Sequence, residues 1–284
     1  MSIVVTGASG HLGRLVVESL LARGTDPARI VATARRPEVL DDLAARGVEV
    51  RRADYDDRAS LEKALAGAER VLLVSGTAFG RRVAQHTAVI EAAVAAGASL
   101  VAYTSAPRAS TTSLLLAAEH AATEEVLLAA DVDHVLLRNA WYVENYTDQL
   151  PTYAEHGLVG ATGEGRVSLA LRREYAEAAA AVLVGDGHAG RTYELGGPAV
   201  TLGELAAQIG GASGREIGHT DLDVAALQQV LEGAGVPGPA AEVFADVDRG
   251  IAEGELLVPT HDLARLLGRE PLAVADAVRE ALRA

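Results

Sequence analysis

Short apolar triplets recur along the first half of the chain, each followed by a turn and then by apolar residues at helical spacing. Ile3-Val4-Val5 leads into such a turn, and Leu12, Leu15, Val16, Leu20 and Leu21 then give the next segment one buried face. The same rhythm predicts strands at Ile3–Thr6, Ile30–Ala34, Val48–Arg51, Val71–Val74, Leu100–Thr104 and His134–Leu137, with helices between them. Pro37 suits the first turn of one helix and Gly47 lies just past its end. Strands alternating with helices make a parallel sheet covered on both faces. Right-handed crossovers then select an α/β fold with a doubly wound parallel sheet, whose ligands bind at the carboxyl ends of the strands.

Beyond Arg138 the rhythm changes. Trp141–His156 reads as a helix interrupted at Pro151, Gly157–Gly165 is glycine-rich, and Arg173–Leu183 is an Ala-rich helical segment. Arg191–Leu195 returns as one more strand, and most of Leu202–Ala284 is helical with Gly and Pro punctuation. The expected organisation is a nucleotide-binding unit over 1–138, joined by the strand near 191–195, and a smaller, mostly helical C-terminal lobe over 139–284, not fully contiguous, that forms a substrate cleft at the junction.

The first turn, Thr6-Gly7-Ala8-Ser9-Gly10-His11-Leu12-Gly13, carries the most specific chemistry. Glycines between a strand and a helix let backbone N–H groups approach a pyrophosphate, with the positive end of the helix dipole beneath it. The spacing is Gly-x-x-Gly-x-x-Gly, so its position, directly after the first strand, carries the assignment of Thr6, Gly7, Ser9, Gly10, His11 and Leu12 to dinucleotide binding. Where NAD-preferring proteins place an acidic residue after the second strand, this chain has Arg35-Arg36. A guanidinium there matches a 2′-phosphate, so NADP(H) is the expected cofactor and Arg35 the expected phosphate partner. Asp54 and Tyr55, after the third strand, stand where adenine would lie.

Composition narrows the classes further. A chain of 284 residues, 49% hydrophobic, can bury a large core, and a formal charge of −14 argues against nucleic acid or an anionic membrane as partner. The absence of cysteine excludes disulfides and thiolate chemistry and fits a reducing compartment. No leader precedes the first strand and no apolar run reaches membrane-span length, so a cytoplasmic location is expected. The histidines include no His-x-x-x-His pair, and no metal is expected.

Lys63 is the sole lysine, so no tyrosine is followed by lysine four residues later. That pair is what short-chain dehydrogenases use to exchange a proton with an alcohol or ketone. At the corresponding place, on the helix after the fifth strand, stand Leu116 and His120. His120 is the first catalytic candidate, since imidazole can hydrogen-bond a nicotinamide ribose and donate a proton near pH 7. Tyr103, at a strand end, is the second, and reads equally well as core. Glu119 and Glu124 read as helix-surface residues and as N–H or ribose partners rather than as acids, since no paired carboxylate spacing supports that role. Aromatic residues make up 4% of the chain, yet Trp141, Tyr142 and Tyr146 cluster with Asn145 after the sixth strand. They suggest a platform for a planar acceptor, with Tyr142 and Tyr146 as the facing pair on a helix, Trp141 either stacking or anchoring the lobe, and Phe79 closing the other side.

Further motifs extend this picture: Ala53-Asp54-Tyr55-Asp56-Asp57, Arg82-Val83-Ala84-Gln85-His86, Tyr103-Thr104-Ser105, Glu119-His120-Ala121-Ala122-Thr123-Glu124, Leu137-Arg138-Asn139-Ala140-Trp141-Tyr142-Val143-Glu144-Asn145-Tyr146 and Tyr175-Ala176-Glu177-Ala178-Ala179. With the glycine turn they resemble the NmrA-like atypical short-chain dehydrogenases/reductases, above all the type-2 NAD(P)H:quinone oxidoreductases. The resemblance spans nearly the whole chain and is weakest over the last eighty or so residues. It implies a Rossmann domain, a small C-terminal lobe and NADPH use, with Ser75, Gly76, Thr77 and Asn139 added to the cofactor site. Gly76, and the Pro107 and Arg108 that follow Ser105-Ala106, depart from the family pattern and leave the acceptor open.

A quinone needs little acid assistance, because its reduction leaves an oxyanion delocalised through a ring becoming aromatic. The expected function is therefore NADPH-dependent hydride transfer to a quinone-like small molecule. The alternatives are a non-catalytic NADP(H)-binding redox sensor of NmrA type, and a biosynthetic reductase of a polycyclic ketone or imine. A homodimer is the one macromolecular assembly entertained.

Overall fold

The computed structural model describes residues 2–283; Met1 and Ala284, at the ends of the two expected units, lie outside the described residues. Its central sheet has seven strands, all parallel, in the order β10-β6-β5-β4-β1-β2-β3. They are β1 (Ile3–Val5), β2 (Ile30–Ala34), β3 (Glu49–Arg52), β4 (Arg70–Leu73), β5 (Leu100–Ser105), β6 (Asp133–Asn139) and β10 (Arg191–Leu195). The doubly wound α/β sheet expected from the sequence is thus borne out, and all seven strands fall within one or two residues of the predicted positions.

The helices that cover this sheet are α1 (His11–Ala22), α2 (Asp41–Ala44), α3 (Arg58–Leu65), α4 (Arg82–Ala95) and α5 (Ala118–Leu128). Local chemistry sets their ends: the Asp57 carboxylate accepts the Ser60 N–H at 3.1 Å and caps α3. One face of the sheet packs Val16, Val17 and Leu20 of α1 on Ile3, Val5 and Leu72, and the other packs Leu61, Leu65, Val89 and Ile90 on Val4, Val71 and Tyr103. Burying both faces explains why these strands read as continuous apolar runs.

After β6 the chain forms β7 (Trp141–Tyr142), α6 (Glu144–Thr147), α7 (Leu150–His156), β8 (Leu158–Gly160) and β9 (Val167–Ala170). The single interrupted helix expected over 141–156 is therefore corrected. Trp141 and Tyr142 pair with Leu169 and Ala170 of β9 as a short parallel strand, and Pro151 stands in the first turn of α7. The next helix, α8 (Arg172–Val184), packs on α1 and shares the first core through Tyr175, Ala179 and Leu183. The cover of the nucleotide-binding sheet thus draws on residues past 138, and the lobe resumes with β11 (Ala199–Val200).

The remaining elements are α9 (Leu202–Ser213), β12 (His219–Asp221), α10 (Val224–Gly233), α11 (Gly238–Ala252), α12 (Asp262–Leu267) and α13 (Val274–Ala281). Thr201 and Glu204 begin α9 with reciprocal bonds of 3.1 and 3.0 Å. A second core joins Val143, Tyr146, Leu158, Leu169, Leu205, Val247 and Val278. Arg108 ties this lobe to the sheet. Its N–H meets the Glu194 carboxylate and its guanidinium reaches the Gly254 and Leu257 carbonyls at 3.4 and 2.7 Å, so it is a strut and not an acceptor contact. Among the described residues no helix is long and apolar enough to cross a membrane.

Candidate cofactor and acceptor cleft

Strand order reverses between β1 and β4, and a cleft of about 570 Å³ opens there between the carboxyl ends of the sheet and the second lobe. Its floor is the turn between β1 and α1. Gly7 has φ +60°, a conformation that favours glycine, and the Gly10 N–H closes the turn on the Gly7 carbonyl at 2.9 Å. A Cβ on Gly13 would stand 2.4 Å from the Gly7 oxygen, so only glycine lets helix and turn approach this closely.

Beneath the turn lies a closed polar knot. The Val74 N–H donates to Thr6 Oγ1 at 3.0 Å, the Tyr55 hydroxyl donates to the Val74 carbonyl at 2.9 Å, and Thr6 Oγ1 lies 2.5 Å from Tyr55 Oη. It locks the ends of β1 and β4 to the loop after β3, and burial pushes the Tyr55 phenol well above its ordinary pKa. Thr6 is fully buried in this knot and does not line the cleft, which corrects its expected direct role; it supports the turn from below.

Along the walls the structure places Gly7, Ser9, Gly10, His11, Leu12, Arg35, Asp54, Tyr55, Ser75, Gly76, Thr77 and Asn139. Arg35 is exposed at the rim with no ion-pair partner among the described residues. At the other end Asn139 donates weakly to the Tyr142 hydroxyl at 3.4 Å, while its Oδ1 is buried without a hydrogen-bond partner among the described residues. An orphaned buried acceptor of this kind is costly unless a ligand donor completes it. Together with the glycine cradle and the free guanidinium at the rim, it fits an amide-bearing, phosphorylated dinucleotide.

Of the expected acceptor residues, Trp141, Tyr142 and Asn145 line the cleft. Tyr142 packs edge-on to Tyr175 with centroids 5.2 Å apart, and the Arg172 guanidinium lies 5.6 Å from its ring. Arg172 itself lines the cleft, a contact the sequence reading missed. Two expectations are corrected. Tyr146 leaves Tyr142 for α6, where it is buried in the second core, and Phe79 is 57% exposed outside the cleft lining, under the Arg82 guanidinium at 4.8 Å.

His120 lines the cleft on α5 beside Leu116, and its Nδ1 meets the Tyr103 hydroxyl at 2.7 Å. When that phenol donates, Nε2 keeps the ring hydrogen and can present it to a ligand. Burial, helped by the charge of Arg82, lowers the His120 pKa to about 3. The expected proton donation by imidazolium near pH 7 is thereby corrected: the ring is neutral there and acts as a hydrogen-bonding group. Tyr103 is fully buried one layer behind the cleft, so it positions His120 and does not contact a ligand.

Behind the loop after β4 lies a network with no role in the sequence reading. Buried His86 accepts the Gly76 N–H at Nε2 (3.0 Å), so its Nδ1–H points to Thr123 Oγ1 (3.1 Å), while Arg82 Nε donates to the Gly76 carbonyl (2.8 Å). Both backbone polar groups of the cleft-lining Gly76 are thus held by α4. The i, i+4 spacing of Arg82 and His86 was the available signal. Glu124, expected on the helix surface, is 2% exposed; it pairs with Arg138 through bonds of 2.9 and 2.6 Å and accepts from Ser105 at 2.6 Å. Among the described residues no group of three or more His, Cys, Asp or Glu side chains could hold a metal ion.

A doubly wound sheet with a glycine turn, a basic rim and an amide-lined far end defines a dinucleotide-binding protein of the Rossmann class. The chain belongs to the NAD(P)H-binding family, which it matches over residues 7–182. It is 43% identical over 279 residues to Quinone oxidoreductase 2 of Escherichia coli, covering 97% of each chain. The crystal structure of the E. coli NADPH-dependent quinone oxidoreductase QOR2 complexed with NADPH superposes with a TM-score of 0.93 at 43% identity, over 98% of this chain and 99% of that one. Citrobacter triphenylmethane reductase complexed with NADP(H) gives a TM-score of 0.92 at 36% identity, over 99% and 100%. The resemblance to NmrA-like reductases is borne out.

Proposed function

We propose that this protein is an NADPH-dependent oxidoreductase that reduces a quinone or a similar planar conjugated acceptor. The observation that carries the reading is one continuous cleft with a glycine cradle and Arg35 at one end and Asn139, Trp141, Tyr142 and a neutral His120 at the other. When bound, the nicotinamide cofactor supplies the hydride. The chain's own residues do the rest. The turn from Gly7 to Gly13 holds the pyrophosphate, Arg35 takes the 2′-phosphate, and Asp54 and Tyr55 flank the adenine. Ser75, Gly76, Thr77 and Asn139 frame the nicotinamide half, and Trp141, Tyr142 and Asn145 receive the acceptor.

The cleft offers weak acid assistance: His120 is neutral near pH 7, and burial raises the Tyr103 phenol above its usual range. That suits an acceptor whose reduced oxygen is delocalised and can take its proton from water, and it suits an isolated ketone poorly. The names of the E. coli and Citrobacter relatives, a quinone and a dye reductase, support the same acceptor class. The neutral His120 and the missing tyrosine-lysine pair also favour a second reading, an NADP(H)-binding redox sensor. A cytoplasmic location, supported by the cysteine-free composition, and a homodimer complete the proposal. Steady-state NADPH oxidation with benzo- and naphthoquinones tests it. Turnover with quinones and little with simple ketones is expected; rapid ketone reduction without quinone turnover would reject the reading.

A further inference from the structure

Arg82 is 5% exposed and lines the cleft on the same wall as Leu116 and His120. Only its Nε–H is engaged in a hydrogen bond among the described residues, to the Gly76 carbonyl. Its Nη1 is buried and, among the described residues, makes no hydrogen bond, although it is ion-paired at 3.5 Å with Glu119, whose side chain is one-fifth exposed. The neighbouring His86 and His120 are neutral near pH 7, and among the described residues Glu119 is the one ion-pair partner of Arg82. Phe79 lies under the guanidinium plane and the Gly76 peptide holds its edge, so the group is fixed in place. A buried, rigid cation whose one ion pair lacks hydrogen-bond geometry and whose donors are only partly used gains from a second anionic oxygen.

We propose that Arg82 recognises an ionised oxygen on the acceptor, so that the cleft selects planar acceptors bearing one, hydroxyquinones and related phenolates, over neutral quinones of the same shape. The inference rests on the acceptor site described under the proposed function. The dinucleotide has its own anion partners across the cleft, at the N-terminus of α1 and at Arg35, which leaves Arg82 to the acceptor. In a chain of net charge −14, which repels anions at long range, a buried local cation is what such selectivity requires.

The test is equilibrium binding to the NADP+-loaded protein at pH 7.5, read by quenching of the sole tryptophan, Trp141, with calorimetry as a check. The probes are 2-hydroxy-1,4-naphthoquinone, ionised at that pH, and neutral 1,4-naphthoquinone. The intact protein should bind the anion at least tenfold more tightly. Arg82→Met should lose at least tenfold for the anion and less than threefold for the neutral quinone, and Arg82→Lys should retain part of the preference. Equal losses for both probes, no preference in the intact protein, or a loss confined to NADP+ affinity would each overturn the proposal. If Arg82→Met fails to fold, the preference of the intact protein and its loss when the ligand is protonated at low pH decide the matter. Absence of quinone turnover in the unaltered protein would instead count against the proposed function, since binding selectivity is read without turnover.

Discussion

Replacing Arg35 by Asp isolates the phosphate claim, because Arg35 is exposed and, among the described residues, has no ion-pair partner whose loss would confuse the result. A guanidinium bonded to a phosphate contributes roughly 1.5–3 kcal/mol. At 1.4 kcal/mol per tenfold, its removal should weaken NADPH about 10- to 150-fold, and the introduced carboxylate adds repulsion to that figure. NADH lacks the 2′-phosphate and should change less than about threefold on the same scale. Titration by nicotinamide fluorescence gives both dissociation constants, and thermal unfolding checks that the fold is unaltered. Added salt should shrink the NADPH preference of the unaltered protein, since the rim is solvent-exposed. Equal losses for the two nucleotides, or none, would remove Arg35 from the phosphate role and with it the assignment of NADP(H) by this residue.

Three further outcomes follow from the same geometry. Gly13→Ala places a methyl 2.4 Å from the Gly7 oxygen, about 1 Å inside ordinary contact, so turn and helix must part and NADPH affinity should fall at least about tenfold; an unchanged dissociation constant would refute the close-packed cradle. Because His120 is already neutral well below pH 5, the turnover rate should show no limb near pH 6.5, and His120→Ala should lower kcat/KM by roughly five- to thirtyfold without changing the profile; a limb that disappears in the variant would contradict this. Asp248, which among the described residues accepts only the Ala161 N–H, is pushed by burial to a pKa of about 6 from an ordinary 3.8. The unfolded chain ionises first, so stability is full below the lower value and falls as pH rises through the upper one. Asp248→Asn should therefore gain about 1–3 kcal/mol in urea unfolding at pH 7.5 and little at pH 4; an equal gain at both would exclude ionisation as the cause.

The inner strands of the central sheet were legible because both faces are buried, and apolar runs bounded by turns mark such strands without reference to neighbours. Arg191–Leu195, at the sheet edge, was legible instead by alternation, with Tyr193 and Leu195 buried on one face. Trp141 and Tyr142 were misread because their strand character comes from β9, some thirty residues on, while local spacing across Pro151 resembles a helix. Tyr146 then followed the misplaced helix. Glu124 looked solvated because its partner Arg138 meets it only once α5 packs against β6, and a lone glutamate on a helix carries no sign of a buried ion pair. The glycine turn and Arg35 were visible from position alone. By contrast, the hold of Arg82 and His86 on Gly76 needed tertiary contact between α4 and the loop after β4.

The central claim is that the cleft is a catalytic one, in which bound NADPH reduces a planar acceptor. Its most direct test is a single turnover: protein carrying one equivalent of NADPH, deuterated in turn at each C4 position, is mixed with 1,4-naphthoquinone and followed at 340 nm. One NADP+ per site, one hydroquinone and a primary isotope effect from one of the two labels are predicted. NADPH that stays tightly bound and unoxidised would contradict the account and identify a redox sensor in its place.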